Sequence, residues 1–276
     1  MKTIVASDAG ASEILSFFAK KNKNKYNYLL KGTAKKIFKK NLGKFKTISL
    51  KESLKKTKLY ICGTGWQSDI HIQIIKATRL KSTKVIAYLD HWVNYKKRFI
   101  RNRRKVLPDM LISSDKNSYK ISKKIFKKTT IIKCINYYEK KIIEKIKKLK
   151  EGEKILYFLE PFNNKIEFMA LKIFFQKLKK LKTINKSIIL KIHPSEKKNK
   201  YIKFLKKYEN FKVVLDNKSS IEKLISSAKY IFGLESNALA ISQKANKKVF
   251  TILPLYNRKF RLPFKKIKNI NKFKKF

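Results

Sequence analysis

The most constraining feature of this sequence is the alternation of short apolar runs with helix-like segments over most of its 276 residues. Runs such as Val85–Leu89 and Ile188–Leu190 are continuously apolar, which is typical of strands covered on both faces. The segments between such runs, residues 166–181 among them, carry apolar residues at helical spacing. This βαβα order predicts parallel sheets with helices on both sides.

A lysine-rich segment divides the alternation into two blocks. Residues 139–153 place Ile142, Ile143 and Ile146 at helical spacing and end in Glu151-Gly152-Glu153. We interpret this segment as a linker helix between an N-terminal Rossmann-like domain, residues 1–138, and a C-terminal one, residues 154–276. The predicted fold class is therefore α/β, with two Rossmann-like domains facing across a cleft.

Two further elements follow from the same pattern. Phe45–Ser49 is predicted to be a short strand, and the basic tail Arg258–Phe276 is expected to be irregular. The apolar runs are too short to span a bilayer, and the N-terminus has no apolar signal region. We therefore expect a cytoplasmic protein.

The formal charge of +53 is due mainly to lysine, because 64 of the 71 basic residues are Lys and only 7 are Arg. The lysines are spread along the whole chain, which favours solvated faces over a specific nucleic-acid site. Weak, salt-sensitive attraction to anionic lipid at the inner face of the membrane is expected. Two cysteines and three histidines lack metal-ligand spacing, so no metal and no cofactor are predicted.

Small, polar and titratable residues collect just beyond the proposed strands. Ligands of open parallel sheets bind beyond the carboxyl ends of the strands, so these positions are candidate site residues. In the N-terminal domain they are Asp8, Gly10, Gly63, Thr64, Gly65, Trp66, Asp90, His91, Trp92 and Asn94. In the C-terminal domain they are Glu160, His193, Pro194, Ser195, Gly233, Glu235, Ser236 and Asn237.

Asp8 is the first candidate for a general base that deprotonates an acceptor hydroxyl, and His91 is the second. The alternative for Asp8 is a helix cap. The remaining N-terminal candidates and Glu160 are assigned to substrate contact, and the other C-terminal candidates are assigned to nucleotide binding. Trp66 stacks on a ligand or closes the core, and Gly63-Thr64-Gly65 forms a ligand loop or only a tight turn.

In the C-terminal domain, Pro194 ends a strand and fixes His193 at the sheet edge, where its ring can donate to a phosphate. Gly233 permits close approach, and Ser236 or Asn237 begins a helix whose N-terminus can hold an anion. The alternatives are a turn histidine and an ordinary capped helix.

His193-Pro194 after a strand, followed some 40 residues later by Gly233-x-x-Ser236, resembles the second domain of GT-B glycosyltransferases. The resemblance is greatest to bacterial sialyltransferases and polysialyltransferases. It implies that His193 and Ser236 contact the phosphate of a CMP-sugar. Glu235 departs from the paired serines of that family, and Asp8-Ala9-Gly10 only loosely matches its acidic motif.

The same layout resembles nucleotide-sugar 2-epimerases, whose His-x-x-Glu motif is similar to His193 and Glu196. The prediction is a metal-independent glycosyltransferase that moves a sugar from a nucleotide sugar to a surface-glycan acceptor. Two alternatives stay open: a nucleotide-sugar epimerase or hydrolase on the same fold, and a non-catalytic polyanion-binding protein.

Overall fold

The computed structural model describes residues 1–65, 69–181 and 186–274. They form two units, Met1–Lys140 and Lys141–Phe276, each with its own parallel sheet. The division falls within a helix, Tyr137–Lys148, and the domain limits inferred from the sequence stay predictions. The predicted class, α/β with two Rossmann-like domains, is confirmed.

The sheet of the N-terminal unit has the strand order β2-β1-β3-β4-β7-β8, all parallel. Its strands are β1 (Lys2–Ala6), β2 (Tyr26–Leu30), β3 (Leu59–Gly63), β4 (Lys84–Leu89), β7 (Met110–Ser113) and β8 (Thr130–Lys133). A separate antiparallel pair is β5 (Ile100–Arg101) and β6 (Arg104–Lys105). The helices are α1 (Ala9–Ala19), α2 (Ala34–Leu42), α3 (Leu50–Lys56), α4 (Ile70–Thr78), α5 (Tyr95–Phe99) and α6 (Lys116–Ile125), with a 3₁₀ segment at Lys20–Lys25 and α7 (Tyr137–Lys148) at the unit boundary.

The sheet of the C-terminal unit has the order β11-β10-β9-β12-β13-β14, again parallel. Its strands are β9 (Lys154–Phe158), β10 (Ile188–Lys191), β11 (Val213–Asp216), β12 (Ala228–Gly233), β13 (Lys248–Thr251) and β14 (Lys268–Asn269). The helices are α8 (Asn164–Lys180), α9 (Asn199–Leu205), α10 (Ile221–Ser227) and α11 (Asn237–Lys244), with 3₁₀ segments at Lys206–Tyr208 and Ile270–Lys272.

Strand order places a topological switch point in each unit. In the N-terminal unit the order reverses between β1 and β3, and in the C-terminal unit it reverses between β9 and β12. Neighbouring connections leave opposite faces of the sheet at such a point, and a crevice opens beyond the strand ends. The residues that follow these four strands are therefore the best placed to bind a ligand within each unit.

Alternation along the strands of the N-terminal unit separates two cores. Ile4, Ala6 and Ile61 pack on one face with α1 and α2, while Val5 and Cys62 belong to the core on the opposite face. Successive side chains of a strand point to opposite faces, so an uninterrupted apolar strand serves both cores. This explains why the strands were visible in the sequence.

Two expectations are wrong in detail. Phe45–Ser49 forms only an isolated parallel bridge between Thr47 and Tyr28, at the edge of the sheet where lysines interrupt the apolar pattern. The tail is not wholly irregular, because β14 adds to the sheet and Phe273 is buried in the C-terminal core. In the described part of the chain, no helix is long and apolar enough to cross a membrane.

Candidate functional site

The switch point of the N-terminal unit brings two acidic residues and two glycines together. Asp8 follows β1 and Asp90 follows β4, and both are half-buried. A Cβ atom at Gly65 would lie 1.7 Å from Oδ2 of Asp8, and one at Gly10 would lie 2.7 Å from Oδ2 of Asp90. A Cβ atom at either position would displace the carboxylate, so the backbone approaches both carboxylates closely.

Arg98, which the sequence interpretation missed, organises this cluster. Its side chain is 5% exposed, and Nη1 donates to the carbonyl oxygen of Thr64 at 2.6 Å, to Oγ1 of Thr64 at 2.8 Å and to Oδ1 of Asp90. Buried His71 supports α5 from behind, since its Nε2 lies 2.7 Å from the carbonyl oxygen of Arg98. The cluster therefore joins the ends of β3 and β4 through one guanidinium group.

The carboxyl group of Asp8 has unusual electrostatics. Burial and then the nearby charge of Asp90 raise its pKa, while the hydroxyl of Ser7, which donates to Oδ1 at 3.0 Å, and Arg98 lower it. Among the described residues, Asp8 is the N-cap of α1 but makes no side-chain cap bond. A carboxylate with a raised pKa that does not serve as a cap is suited to accept a proton.

The remaining N-terminal candidates differ in their surroundings. Gly63 lies within β3, where a Cβ atom would meet Ala11 of α1 at 2.6 Å, so it permits helix packing. Trp92 is buried and donates from Nε1 to Asp115. His91 is half-buried with its ring against Trp92, and Asn94 has a left-handed backbone. Trp66 lies outside the described residues.

The switch point of the C-terminal unit is occupied by one of its own side chains. Glu160 stands two residues beyond the end of β9. Its Oε1 accepts hydrogen bonds from the backbone N–H groups of Leu234, Glu235 and Ser236 at 2.8–3.0 Å. A Cβ atom at Gly233 would lie 3.3 Å from the same oxygen. The N–H groups of the loop that precedes α11 are therefore bonded, in this structure, to the Glu160 side chain. The anion predicted at the N-terminus of α11 stays a prediction.

Burial of Glu160 outweighs these three hydrogen bonds and raises the pKa of its carboxyl to about 7. The neighbouring charge of Glu235 acts in the same direction. Desolvation penalises the ionised form, whereas the backbone donors favour it. Glu160 therefore titrates close to neutral pH.

Glu235, the acid that departs from the sialyltransferase pattern, is neutralised by two arginines of the tail. Arg261 donates to it from its backbone N–H at 2.7 Å and from Nη2 at 2.5 Å, and Arg258 donates from Nη2 at 3.3 Å. The guanidinium of Arg258 also lies 3.9 Å from the ring centre of Phe162. Sequence reasoning missed both arginines because the tail had no motif.

His193 follows β10, and β9 separates that strand from β12. Two strand spacings amount to roughly 10 Å, so the ends of the strands that carry His193 and Ser236 are well separated. Nδ1 of His193 accepts the backbone N–H of Ser195 at 3.2 Å, which leaves Nε2 to carry the proton of the neutral ring. Burial lowers the pKa of this histidine, and Glu196 raises it. Pro194 and Ser195 are exposed.

Two polar atoms at the start of α11 remain available. Among the described residues, Oγ of Ser236 and Oδ1 of Asn237 are buried atoms with no hydrogen-bond partner. No group of three or more His, Cys, Asp or Glu side chains in the described ranges is arranged to hold a metal ion. The side-chain atoms beyond β12 that could bind a ligand are therefore the hydroxyl oxygen of Ser236 and the amide oxygen of Asn237.

No family model and no curated protein match this sequence. Solved structures do match. The UDP-GlcNAc 2-epimerase of Methanocaldococcus jannaschii, in complex with UDP-GlcNAc and UDP, has a TM-score of 0.65 at 13% identity, covering 91% of this chain and 84% of that chain. The UDP-GlcNAc 2-epimerase of Neisseria meningitidis has a TM-score of 0.63 at 13% identity, covering 94% and 84%.

A third structure, the wall teichoic acid polymerase TagF soaked with CDPG, has a TM-score of 0.53 at 14% identity, covering 91% of this chain and 69% of that chain. At such identities the similarity shows the fold alone. The fold is the GT-B type, with two Rossmann-like domains. The narrower resemblance to sialyltransferases stays a prediction.

Proposed function

We propose that this protein is a glycosyltransferase that moves a sugar from a nucleotide-sugar donor to a glycan acceptor. The observation that carries the proposal is the Asp8–Asp90–Arg98 cluster at the N-terminal switch point. It combines a carboxyl of raised pKa with a second carboxylate held by a buried guanidinium. The GT-B fold supports a nucleotide-sugar donor, because similarly folded structures contain UDP-GlcNAc or CDPG.

In the proposed reaction, Asp8 removes the proton of an acceptor hydroxyl, and the hydroxyl oxygen attacks the anomeric carbon of the donor sugar. The bond between that carbon and the donor phosphate breaks, and its electron pair leaves with the phosphate. A raised pKa makes Asp8 a stronger base than an ordinary aspartate. His91 is the second candidate base.

Arg98 fixes Asp90 and Thr64, so Asp90 and the neighbouring Gly65 are proposed to orient the sugar beside Asp8. On the donor side, Nε2–H of His193 and Oγ of Ser236 are proposed to stabilise the negative charge that develops on the leaving phosphate. The backbone N–H groups that precede α11 are already bonded to Glu160, so these side chains carry the phosphate contact in the proposal.

The second candidate is a nucleotide-sugar 2-epimerase or hydrolase. It is favoured by the higher TM-scores of the epimerase structures, 0.65 and 0.63, over the 0.53 of TagF. An epimerase must move a proton at carbon 2 of the sugar, and Asp8 and Asp90 together provide two carboxyl groups for such chemistry.

One experiment separates these functions. The full chain is incubated in D₂O with a panel of UDP-, CDP- and CMP-sugars, with and without a glycan acceptor, and analysed by NMR. A transferase releases nucleotide only with acceptor and leaves carbon 2 unlabelled. An epimerase incorporates deuterium at carbon 2 without acceptor. A hydrolase releases nucleotide without acceptor and leaves carbon 2 unlabelled. If no donor reacts and none raises the melting temperature, the proposal is wrong.

A further inference from the structure

An apolar cavity of about 120 Å³ lies on the face of the N-terminal sheet that α1 covers only in part. Its floor is formed by strand residues, including Ile86 and Ile112, and α1 and the segment after β8 form its walls. The only lining residues with a polar atom in the side chain are two tyrosines and Cys134. A cavity of this kind holds hydrocarbon in preference to water.

The rim of this cavity is exposed and apolar. Phe18, Ile135 and Tyr137, which line the cavity, are 41%, 59% and 57% exposed. Ile132 pairs directly with Ile112 in the sheet register, so it lies on the same face, and it is 39% exposed. A contiguous exposed apolar surface around a cavity marks an interaction site.

Basic residues occur in the two segments of the chain that contribute to this rim. Nζ of Lys20 lies 5.9 Å from the ring centre of Phe17, whose ring packs against Tyr138 at 5.2 Å. Lys21 is exposed just after α1, and Lys140 is exposed at the start of α7 next to the acidic Glu139. The whole chain carries +53. A partner must therefore be apolar at one end and anionic at the other. A second copy of this chain does not fit, because two copies carry the same positive charge and repel each other.

We propose that this cavity takes up the end of a hydrocarbon chain from an anionic phospholipid of a bilayer, while the lysines contact the headgroups. The cavity approaches the ~150 Å³ apolar cavity that holds a benzene ring, so it admits a few carbon atoms of one chain. The exposed rim then lies among the headgroups and upper chain carbons, as expected of an interfacial surface. This attachment does not depend on the proposed transferase activity.

Cys134 provides a native reporter in the cavity wall, because the other cysteine, Cys62, is fully buried. The full chain is labelled with a charged maleimide, with or without vesicles of phosphatidylglycerol and phosphatidylcholine. The vesicles should slow labelling of Cys134 by about 10-fold or more, since buried thiols are inert. A Leu80→Cys thiol on the same chain, at a position 99% exposed, should react at its usual rate. Unchanged Cys134 labelling, or equal protection of both thiols, overturns the proposal.

Charge alone attracts this protein to anionic vesicles, so a second measurement isolates the apolar part. Vesicle sedimentation is repeated at about 0.5 M salt, where the Debye length is only roughly 4 Å. Phe18→Ser and Ile135→Ser should each weaken the remaining binding by about 10-fold, because each removes a large apolar side chain from the contact. The matched controls Leu80→Ser and Val214→Ser alter exposed apolar residues elsewhere and should change nothing. Equal effects of all four variants contradict the proposal.

Discussion

The two switch points occupy the same topological position in similar sheets, yet the acidic residues at them have different hydrogen-bond partners. Asp8 follows β1, is half-buried and serves no helix N–H group among the described residues. Glu160 follows β9, is 6% exposed and accepts hydrogen bonds from three backbone N–H groups that precede α11. At one edge, within the described residues, the carboxyl makes no cap bond to the helix that follows it, and at the other the carboxyl binds the backbone between a strand and a helix.

The difference shows that the backbone N–H groups between a strand and the next helix are not automatically free for a ligand. Such groups require an acceptor, and a side chain that follows the neighbouring strand can supply one. Arginines complete the contrast. Arg98 holds Asp90 at the N-terminal edge, whereas Arg258 and Arg261 neutralise Glu235 at the C-terminal edge.

The largest expected effect tests the chemical role of the N-terminal edge. Asp8→Asn keeps the shape of the side chain but removes the base, so nucleotide release in the presence of acceptor should fall about 10³-fold. Glu52→Gln, in an exposed pair with Lys56, is the matched control and should retain activity. Full activity of Asp8→Asn would transfer the role of base to His91.

The next effect concerns the support of that edge. Arg98→Met leaves the half-buried Asp90 and the carbonyl of Thr64 without their donor, and should lower the free energy of unfolding by about 3 kcal/mol, as for a broken buried ion pair. The double variant Arg98→Met/Asp90→Asn should recover part of the loss, measured by thermal or urea unfolding. A loss equal to the sum of the two single variants would show that the pair is not coupled.

The C-terminal edge should give a pH dependence of stability. The folded-state pKa of Glu160, about 7, lies above its ordinary value of 4.5. Protonated Glu160 therefore contributes fully to the free energy of unfolding below pH 4.5, and this contribution is lost as the pH rises to 7. The loss amounts to about 3 kcal/mol. Glu160→Gln removes the titration, so its melting temperature relative to the unaltered protein should rise between pH 5 and 8. Parallel pH curves for the two proteins would contradict a buried titrating carboxyl.

The smallest effect sharpens the donor side. His193→Ala removes the Nε2–H donor and should weaken nucleotide binding by about 1–3 kcal/mol, the value of a hydrogen bond to a charged group. Lys197 is exposed in the loop between His193 and α9, and Lys197→Ala serves as a control for the loss of a positive charge alone. Calorimetric titration compares the two variants, and equal losses would assign the effect of His193 to general electrostatics.

Much of the fold was accessible from the sequence because the signal was local. Runs such as 26–30, 84–89, 110–113 and 130–133 are strands with the predicted bounds, since buried parallel strands are apolar on both faces. The strand order and the pairing of Asp8 with Gly65 are long-range facts. The sequence indicated only that such residues stand at strand ends.

The arginines were harder to predict because their role depends on tertiary contacts. Arg98 lies in a five-residue helix, and Arg258 and Arg261 lie in a tail that had seemed only basic. One signal was present: in a chain with 64 lysines, the 7 arginines are rare. Three of them make multiple or stacked contacts that the compact ammonium group of lysine cannot reproduce.

The position of Glu160 has a consequence for ligand competition. Because its carboxylate is tethered beside α11, it acts as an intramolecular competitor at a high effective concentration. Any phosphate oxygen that reaches the same three N–H groups must first displace it, and the displaced carboxylate leaves a buried site for water. An affinity measured at these N–H groups would therefore report the difference between two anions, one supplied by the ligand and one encoded in the chain.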